Sequence, residues 1–139
     1  MGMEKASKLE LKNIKFICAD AEVLTSAIPE KSADIIYINF CDPWPKARHA
    51  KRRLTSEGFL RIFKNLIADD GKIEFKTDNI GLFEFSLEEF PKAGYEMKNV
   101  TFDLHASEWN EGNVQTEYER NFSAKGFKIN RLEAFKQEK

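Results

Sequence analysis

The chain has 139 residues, 42% of them apolar and 12% aromatic, which is enough for one compact domain with a real core and a stretch for two. Charged residues make up 32% yet nearly cancel to a net charge of −1, which excludes a uniformly basic surface and leaves any nucleic-acid affinity to a local patch. No apolar run is long enough to span a bilayer, and the start Met1-Gly2-Met3-Glu4-Lys5 lacks the apolar core of a signal peptide, so the reading is cytoplasmic. Cys18 and Cys41 are too few for a disulfide framework and have no metal-ligand spacing, so both are read as reduced thiols at strand ends.

In chain order, Ile14 to Cys18 and Asp34 to Phe40 are short apolar or β-branched runs that end in polar segments and read as buried strands. Phe59, Leu60, Phe63, Leu66 and Ile67 recur at helical spacing, which predicts a helix over Thr55 to Ile67 with an imperfect capping box at its start and Asp69-Asp70-Gly71 as its stop. Lys72 to Lys76 is a third strand, Leu82 to Phe90 a helix closed by Pro91, and Tyr95 to Leu104 a long alternating strand. A polar loop from His105 to Asn113 follows, then a helix over Thr116 to Ala124 ended by Gly126, and a last strand over Lys128 to Phe135. Strands and helices alternate first, and two strands flank one short helix at the end, so the fold class is α/β, a mixed sheet with an antiparallel edge in a single domain.

The segment most suited to chemistry is Asp42-Pro43-Trp44-Pro45-Lys46, which follows directly on the strand ending at Phe40, where open α/β sheets place their ligands. Two prolines stiffen it, so Asp42 and Trp44 are held rather than mobile. Lys46, Arg48, His49, Lys51, Arg52 and Arg53 crowd immediately downstream; their density beside a stiff tryptophan-bearing loop favours an RNA backbone over an ordinary solvated turn.

Asn39-Phe40-Cys41-Asp42-Pro43-Trp44-Pro45-Lys46 with its continuation Ala47 to Leu54, then Phe75-Lys76-Thr77-Asp78-Asn79, then Thr116-Glu117-Tyr118-Glu119, resemble in order and spacing the bacterial tRNA (guanine-N7)-methyltransferase family. The resemblance covers nearly the whole chain. It implies a partial Rossmann-like class I methyltransferase sheet, S-adenosylmethionine as cofactor and tRNA as partner. It further implies that Asp42 serves catalysis and the cofactor, that Asp20 lies near the cofactor's adenine, and that Lys46, Asp78, Thr116, Glu117, Tyr118 and Glu119 meet the substrate. Arg48, His49, Lys51, Arg52 and Arg53 are implied to meet RNA. Plain structural uses compete with these: Asp78 as a cap for the helix near Ile80, Asp20 as a turn cap, Glu117 and Glu119 as solvated helix faces. No metal site is read anywhere in the sequence.

The family's opening strand, glycine-rich turn and following strand have no counterpart here: the glycines, Gly2, Gly58, Gly71, Gly81, Gly94, Gly112 and Gly126, lie too far apart for such a turn. The sheet is therefore expected to lack the first two family strands, with Met3 to Leu11 as the remnant of a helix before the third. Weak or undetectable cofactor binding by the isolated chain is expected. Self-association through the exposed edge of the Asp34 to Phe40 strand is expected as well. A catalytically silent RNA-binding or assembly module is the alternative to a methyl-transferring enzyme.

Overall fold

The structure, a computed structural model, describes residues 24–113 and 115–137. The expected helix at Met3 to Leu11, the expected strand at Ile14 to Cys18, and Asp20 lie outside the described residues. Within them, a helical turn α1 (Leu24–Ala27) leads to strand β1 (Ala33–Asn39), followed by helix α2 (Glu57–Leu66), strand β2 (Ile67–Thr77) and helix α3 (Ile80–Lys92). Strand β3 (Tyr95–Thr101), helix α4 (Glu117–Ala124) and strand β4 (Asn130–Lys136) complete the chain, with short 3-10 turns between β1 and α2 and between β3 and α4. The sheet has four strands in the order β1-β2-β4-β3. β1 and β2 are parallel, while β4 runs antiparallel to both its neighbours, which is the mixed sheet with an antiparallel edge that the element pattern predicts.

Strand alternation separates the two faces. Ile38, Ile73, Phe75, Leu132 and Ala134 point to one side and form a single cluster with Leu60, Phe63 and Leu66 of α2 and Leu82, Phe83 and Phe90 of α3. The Phe75 ring centre lies 6.1 Å from that of Phe83 and 6.4 Å from that of Phe90. The opposite face carries Lys72, Glu74, Arg131 and Glu133, which neutralise one another across β2 and β4. The two helices are joined by polar contacts too: Glu89 of α3 accepts the Glu57 amide at 3.2 Å, and Thr55 and Ser86 share a buried hydrogen bond of 2.6 Å. Ser56, the residue at the α2 N-cap, makes no side-chain cap bond, so the neighbouring helix supplies an acceptor that the imperfect capping box lacks.

Three boundaries depart from the sequence expectation in ways that matter for the fold, beyond shifts of one or two residues at other element ends. Asp69-Asp70-Gly71 does not stop α2 in a turn; β2 starts at Ile67, and the three residues form a bulge, since Ala33 pairs with Ile67 but Ile35 with Lys72. Glycine is required in it, because a Cβ on Gly71 would sit 2.3 Å from Ile67 Cγ2 and 2.8 Å from the Asp34 carbonyl oxygen. Pro91 lies inside α3 rather than closing it, in the last turn where few backbone bonds remain to be lost. β3 ends at Thr101 instead of Leu104: Asn99 turns left-handed (φ 55°), the register shifts between Lys98 and Thr101, and Leu104 is buried in a 3-10 turn instead.

Candidate active site at the carboxyl ends of β1 and β2

The parallel pairing of β1 with β2 brings the residues that follow both strands to one end of the sheet. The last rung is Phe40, whose amide donates to the Lys76 carbonyl at 2.9 Å. Beyond it the backbone is constrained: Phe40 (φ 53°) and Trp44 (φ 42°) are both left-handed without being glycine, on either side of Asp42. Such positions persist only where surroundings over-determine them. Here the clamp is Arg53. Its Nε donates to the carbonyls of Pro43 (3.0 Å) and Trp44 (3.1 Å), its Nη2 donates to Trp44 (2.9 Å), and its guanidinium sits 4.4 Å from the Phe85 ring centre. Trp44 is flanked in turn by the Arg52 guanidinium at 5.2 Å and the edge of the His49 ring at 5.4 Å.

Arg53 is therefore turned into the fold, while Lys46, Arg48, Lys51 and Arg52 are exposed and His49 half-buried on the same loop and 3-10 turn. Asp42 is exposed as well. Its neighbour Cys41 is no nucleophile: burial, with a smaller contribution from the Asp42 charge, pushes the thiol up to about 11, so it stays protonated at neutral pH.

After β2 the chain turns into α3 through Thr77, Asp78 and Asn79. The Asn79 side chain, not that of Asp78, caps the helix by accepting the Leu82 amide at 2.8 Å, and Thr77 Oγ1 accepts the Asn79 amide at 3.1 Å. Asp78 is left to another partner: the Tyr118 hydroxyl donates to its Oδ1 at 3.2 Å. Burial and the Asp78 carboxylate both push the Tyr118 phenol upward, so it keeps its proton. The Tyr118 ring packs on Phe40 with centroids 4.7 Å apart, joining the β1 loop, the end of β2 and α4.

Thr116-Glu117-Tyr118-Glu119 has the form of a capping box, and its first half operates, with Thr116 Oγ1 accepting the Glu119 amide at 3.1 Å. The second half is diverted. Glu119 is fully buried and faces inward, where Lys76 Nζ (3.0 Å), His105 Nε2 (2.7 Å) and Asn113 Nδ2 (2.9 Å) converge on its carboxylate. Burial alone would raise this carboxyl's pKa, but the three hydrogen bonds and the Lys76 charge outweigh it and the net shift is downward. Glu117 is exposed. A cleft of about 560 Å³ opens beside the network, walled by Tyr37, Asn39, Lys76, Trp109, Thr116 and Arg131 among others. Arg131 Nη1 is buried with no hydrogen-bond partner among the described residues.

The structure thus gathers Asp78, Thr116, Tyr118 and Glu119 into one cluster, with Asp42 on the loop whose first residue, Phe40, touches that cluster. Sequence reasoning did not single out Phe40, Lys76, His105 and Asn113. For Lys76 a signal was present: a lysine in an alternating strand, between Phe75 and Thr77, must either reach solvent or find an acid.

Among solved structures, a precorrin-6y C5,15-methyltransferase from Geobacter metallireducens superposes with a TM-score of 0.58 over 97% of this chain and 59% of its own, at 13% identity. The cyclase SpnF does so with a TM-score of 0.61 over 96% of this chain and 61% of its own, at 14% identity. These likenesses define the class by fold, the Rossmann-like sheet of class I methyltransferases, and a cyclase among them shows that the fold leaves the reaction open. Sequence narrows it: the family described as "Putative methyltransferase" matches residues 2–132, and the chain belongs to that family. Its curated relatives include the tRNA (guanine-N(7)-)-methyltransferases of Macrococcus caseolyticus, 52% identical over 95% of this chain, and Lachnoclostridium phytofermentans, 48% identical over 98%. The matched region spans 62% and 64% of those two proteins.

Proposed function

We propose that this chain supplies the substrate-facing part of a methyltransferase that transfers a methyl group from S-adenosylmethionine to guanine N7 of tRNA; its relatives are named as tRNA (guanine-N(7)-)-methyltransferases. The observation that carries this reading is the meeting of Phe40, Asp78 and Tyr118 at the carboxyl ends of two parallel strands, beside the loop that holds Asp42. Guanine N7 has a lone pair and no proton, so methyl transfer to it needs positioning more than a strong base. A carboxylate accepts from both N1–H and the exocyclic amine of guanine, which selects guanine over adenine. Asp78 suits this role, since Tyr118 orients it through one oxygen and leaves acceptor capacity on both. In this reading Lys46, Thr116 and Glu117 are assigned to the substrate, Glu119 holds the cluster through its buried contacts with Lys76, His105 and Asn113, and Asp42 is assigned to the methyl donor.

The described residues do not form a complete S-adenosylmethionine site. Backbone approach to the cofactor calls for glycine just after a parallel strand, yet Gly58 and Gly81 lie within α2 and α3, Gly71 is packed against Ile67 and the Asp34 carbonyl, and Gly94, Gly112 and Gly126 lie before β3, between β3 and α4 and before β4. Asp42 is the described residue assigned to the cofactor, and Asp20 is a second candidate outside the described residues. Calorimetry on this chain is accordingly expected to give weak or undetectable binding; a dissociation constant in the low micromolar range, about −8 kcal/mol, would contradict this. The same shortage favours a second reading, an RNA-binding or assembly module without catalysis. β1 ends the described sheet with Tyr37 58% exposed, an edge suited to pairing with a second copy or with another segment.

The two readings share the basic loop and differ in methyl transfer, so the test has two arms. With labelled S-adenosylmethionine in large excess, so that even a weak site is loaded, label appearing at guanine N7 supports the enzyme, and tRNA binding without label under that excess supports the module. In the binding arm, replacing exposed Arg48 and Lys51 together is expected to flatten the dependence of affinity on salt by up to about two units of slope, with little change in stability. Arg53 is excluded from that pair because it holds the Pro43 and Trp44 carbonyls. Identical slopes for wild type and double variant would remove the RNA patch from both readings.

A further inference from the structure

We propose that His105 and Asn113 are positioning residues for the substrate face: acting through Glu119, they dock α4 against β2 so that Tyr118 meets Asp78. The inference rests on the preceding reading of Asp78 and Tyr118 as the substrate-facing pair.

The geometry has three anchoring segments. Lys76 comes from the end of β2, His105 and Asn113 from the connection between β3 and α4, and Glu119 from the first turn of α4. A carboxylate only accepts, so the His105 ring nitrogen at 2.7 Å is the donor, Nε2–H, and Asn113 donates through its amide nitrogen. Asn113 also uses its other end, with Oδ1 accepting from Lys76 Nζ at 2.5 Å. One side chain thus bridges the ammonium and the carboxylate, and the buried pair is surrounded by partners rather than merely apposed.

Position along the chain turns this into an effect on the site. Glu119 directly follows Tyr118, and Lys76 lies two residues before Asp78, so the buried contact Lys76–Glu119 and the exposed contact Asp78–Tyr118 are successive rungs between the same two elements. Fixing the inner rung fixes the outer one. The connection that carries His105 is itself held: Leu104 is fully buried, and its amide donates to the Ile129 carbonyl at 2.8 Å. The connection reads as a polar loop in the sequence, yet His105 and Asn113 reach from its two ends to the same carboxylate. Neither residue belongs to the three motifs that carry the family resemblance.

The test reads Tyr118 directly. Its ring protons lie against Phe40 and carry that ring's magnetic shift, and a Tyr118→Phe spectrum assigns them apart from Tyr37 and Tyr95. In His105→Leu and in Asn113→Leu the Tyr118 signals are expected to move toward those of a free tyrosine. His105→Gln, which keeps an N–H donor in reach of Glu119, should restore them. Unchanged Tyr118 signals in a folded His105→Leu or Asn113→Leu variant would overturn the proposal, as would a folded His105→Gln that behaves like His105→Leu; a role in stability alone would lower the melting temperature and leave the ring signature in place. Should His105→Leu not fold, the Asn113→Leu and His105→Gln spectra decide by the same criteria. In a methylation assay under the same large excess of S-adenosylmethionine, His105→Leu is expected to raise KM for tRNA about tenfold with kcat within about twofold of wild type. A wild-type chain that neither binds nor methylates tRNA would refute the proposed function, while the ring signature would still judge the positioning role.

Discussion

Lys76→Met is expected to cost about 3 kcal/mol of stability at neutral pH, because it strands a buried carboxylate. Lys76 is 5% exposed and Glu119 fully buried, so water does not replace the lost ammonium. His105 and Asn113 still donate to Glu119, which keeps the loss toward the lower end of the range for a broken buried pair. Urea unfolding of Lys76→Met, Glu119→Gln and the double variant gives the coupling directly: with the acid neutralised the lysine has less to offset, and the cycle should close with an interaction on the order of 2 kcal/mol. The sign with pH is also fixed. Because the folded pKa of Glu119 is depressed, its ionisation contributes stability that is present above the ordinary carboxyl value of 4.5 and lost as pH falls below it. Removing Lys76 cancels part of that depression, so the gap between variant and wild type should narrow in acid. Additive single losses, or a gap that widens in acid, would show that the ion pair does not hold α4 to β2.

The same cluster shows where a sequence stops being legible. Helix α2, strand β1 and the Lys72 to Lys76 stretch of β2 follow from local pattern, since apolar residues at helical spacing or in short runs have few ways to be buried. What local pattern misses are features decided by a partner distant in sequence. Asp69-Asp70-Gly71 reads as a helix stop, and it is a bulge because β1 lies against it, with the Asp34 carbonyl, remote in sequence, closing on Gly71. Arg53 reads as one more cation in a basic run, yet its guanidinium points at the Pro43 and Trp44 carbonyls and the Phe85 ring. In the site, motif residues such as Asp78 and Tyr118 could be named from the sequence, while the contact between them could not. His105 and Asn113 had no motif or periodicity to mark them, and their roles exist only once β2 and α4 are adjacent.

The second large effect lies on the open face of the sheet and should appear as acid lability. Glu133 is 7% exposed. Its Oε1 accepts from Lys72 Nζ at 2.7 Å and Arg131 Nη2 at 2.9 Å, and its Oε2 accepts from Asn99. Burial alone would raise its pKa, but these donors and the Arg131 charge outweigh it and bring the carboxyl down to about 2 from 4.5. A depression of that size corresponds to roughly 3 kcal/mol, fully present above about pH 4.5 and lost progressively as pH falls toward 2. Glu133→Gln should therefore be less stable than wild type at pH 7 and should lack the corresponding part of the wild-type acid limb, so that the two stability curves approach each other through the acid range and converge only as pH falls to about 2 and below. Glu119 titrates in the same direction in both proteins, which makes their difference specific to Glu133. Parallel acid limbs would show that Lys72 and Arg131 are satisfied by Glu74 alone, at 3.1 and 2.8 Å, and that Glu133 adds nothing. The consequence reaches the site through the register: Arg131 pairs with Lys76 across β2 and β4, so the strand whose end carries Lys76 and Asp78 is held from one side by the charges that acid removes. The Tyr118 ring signals of the wild-type chain should then broaden at about pH 2 relative to about pH 5, ahead of global unfolding, as the sheet beneath the site loosens.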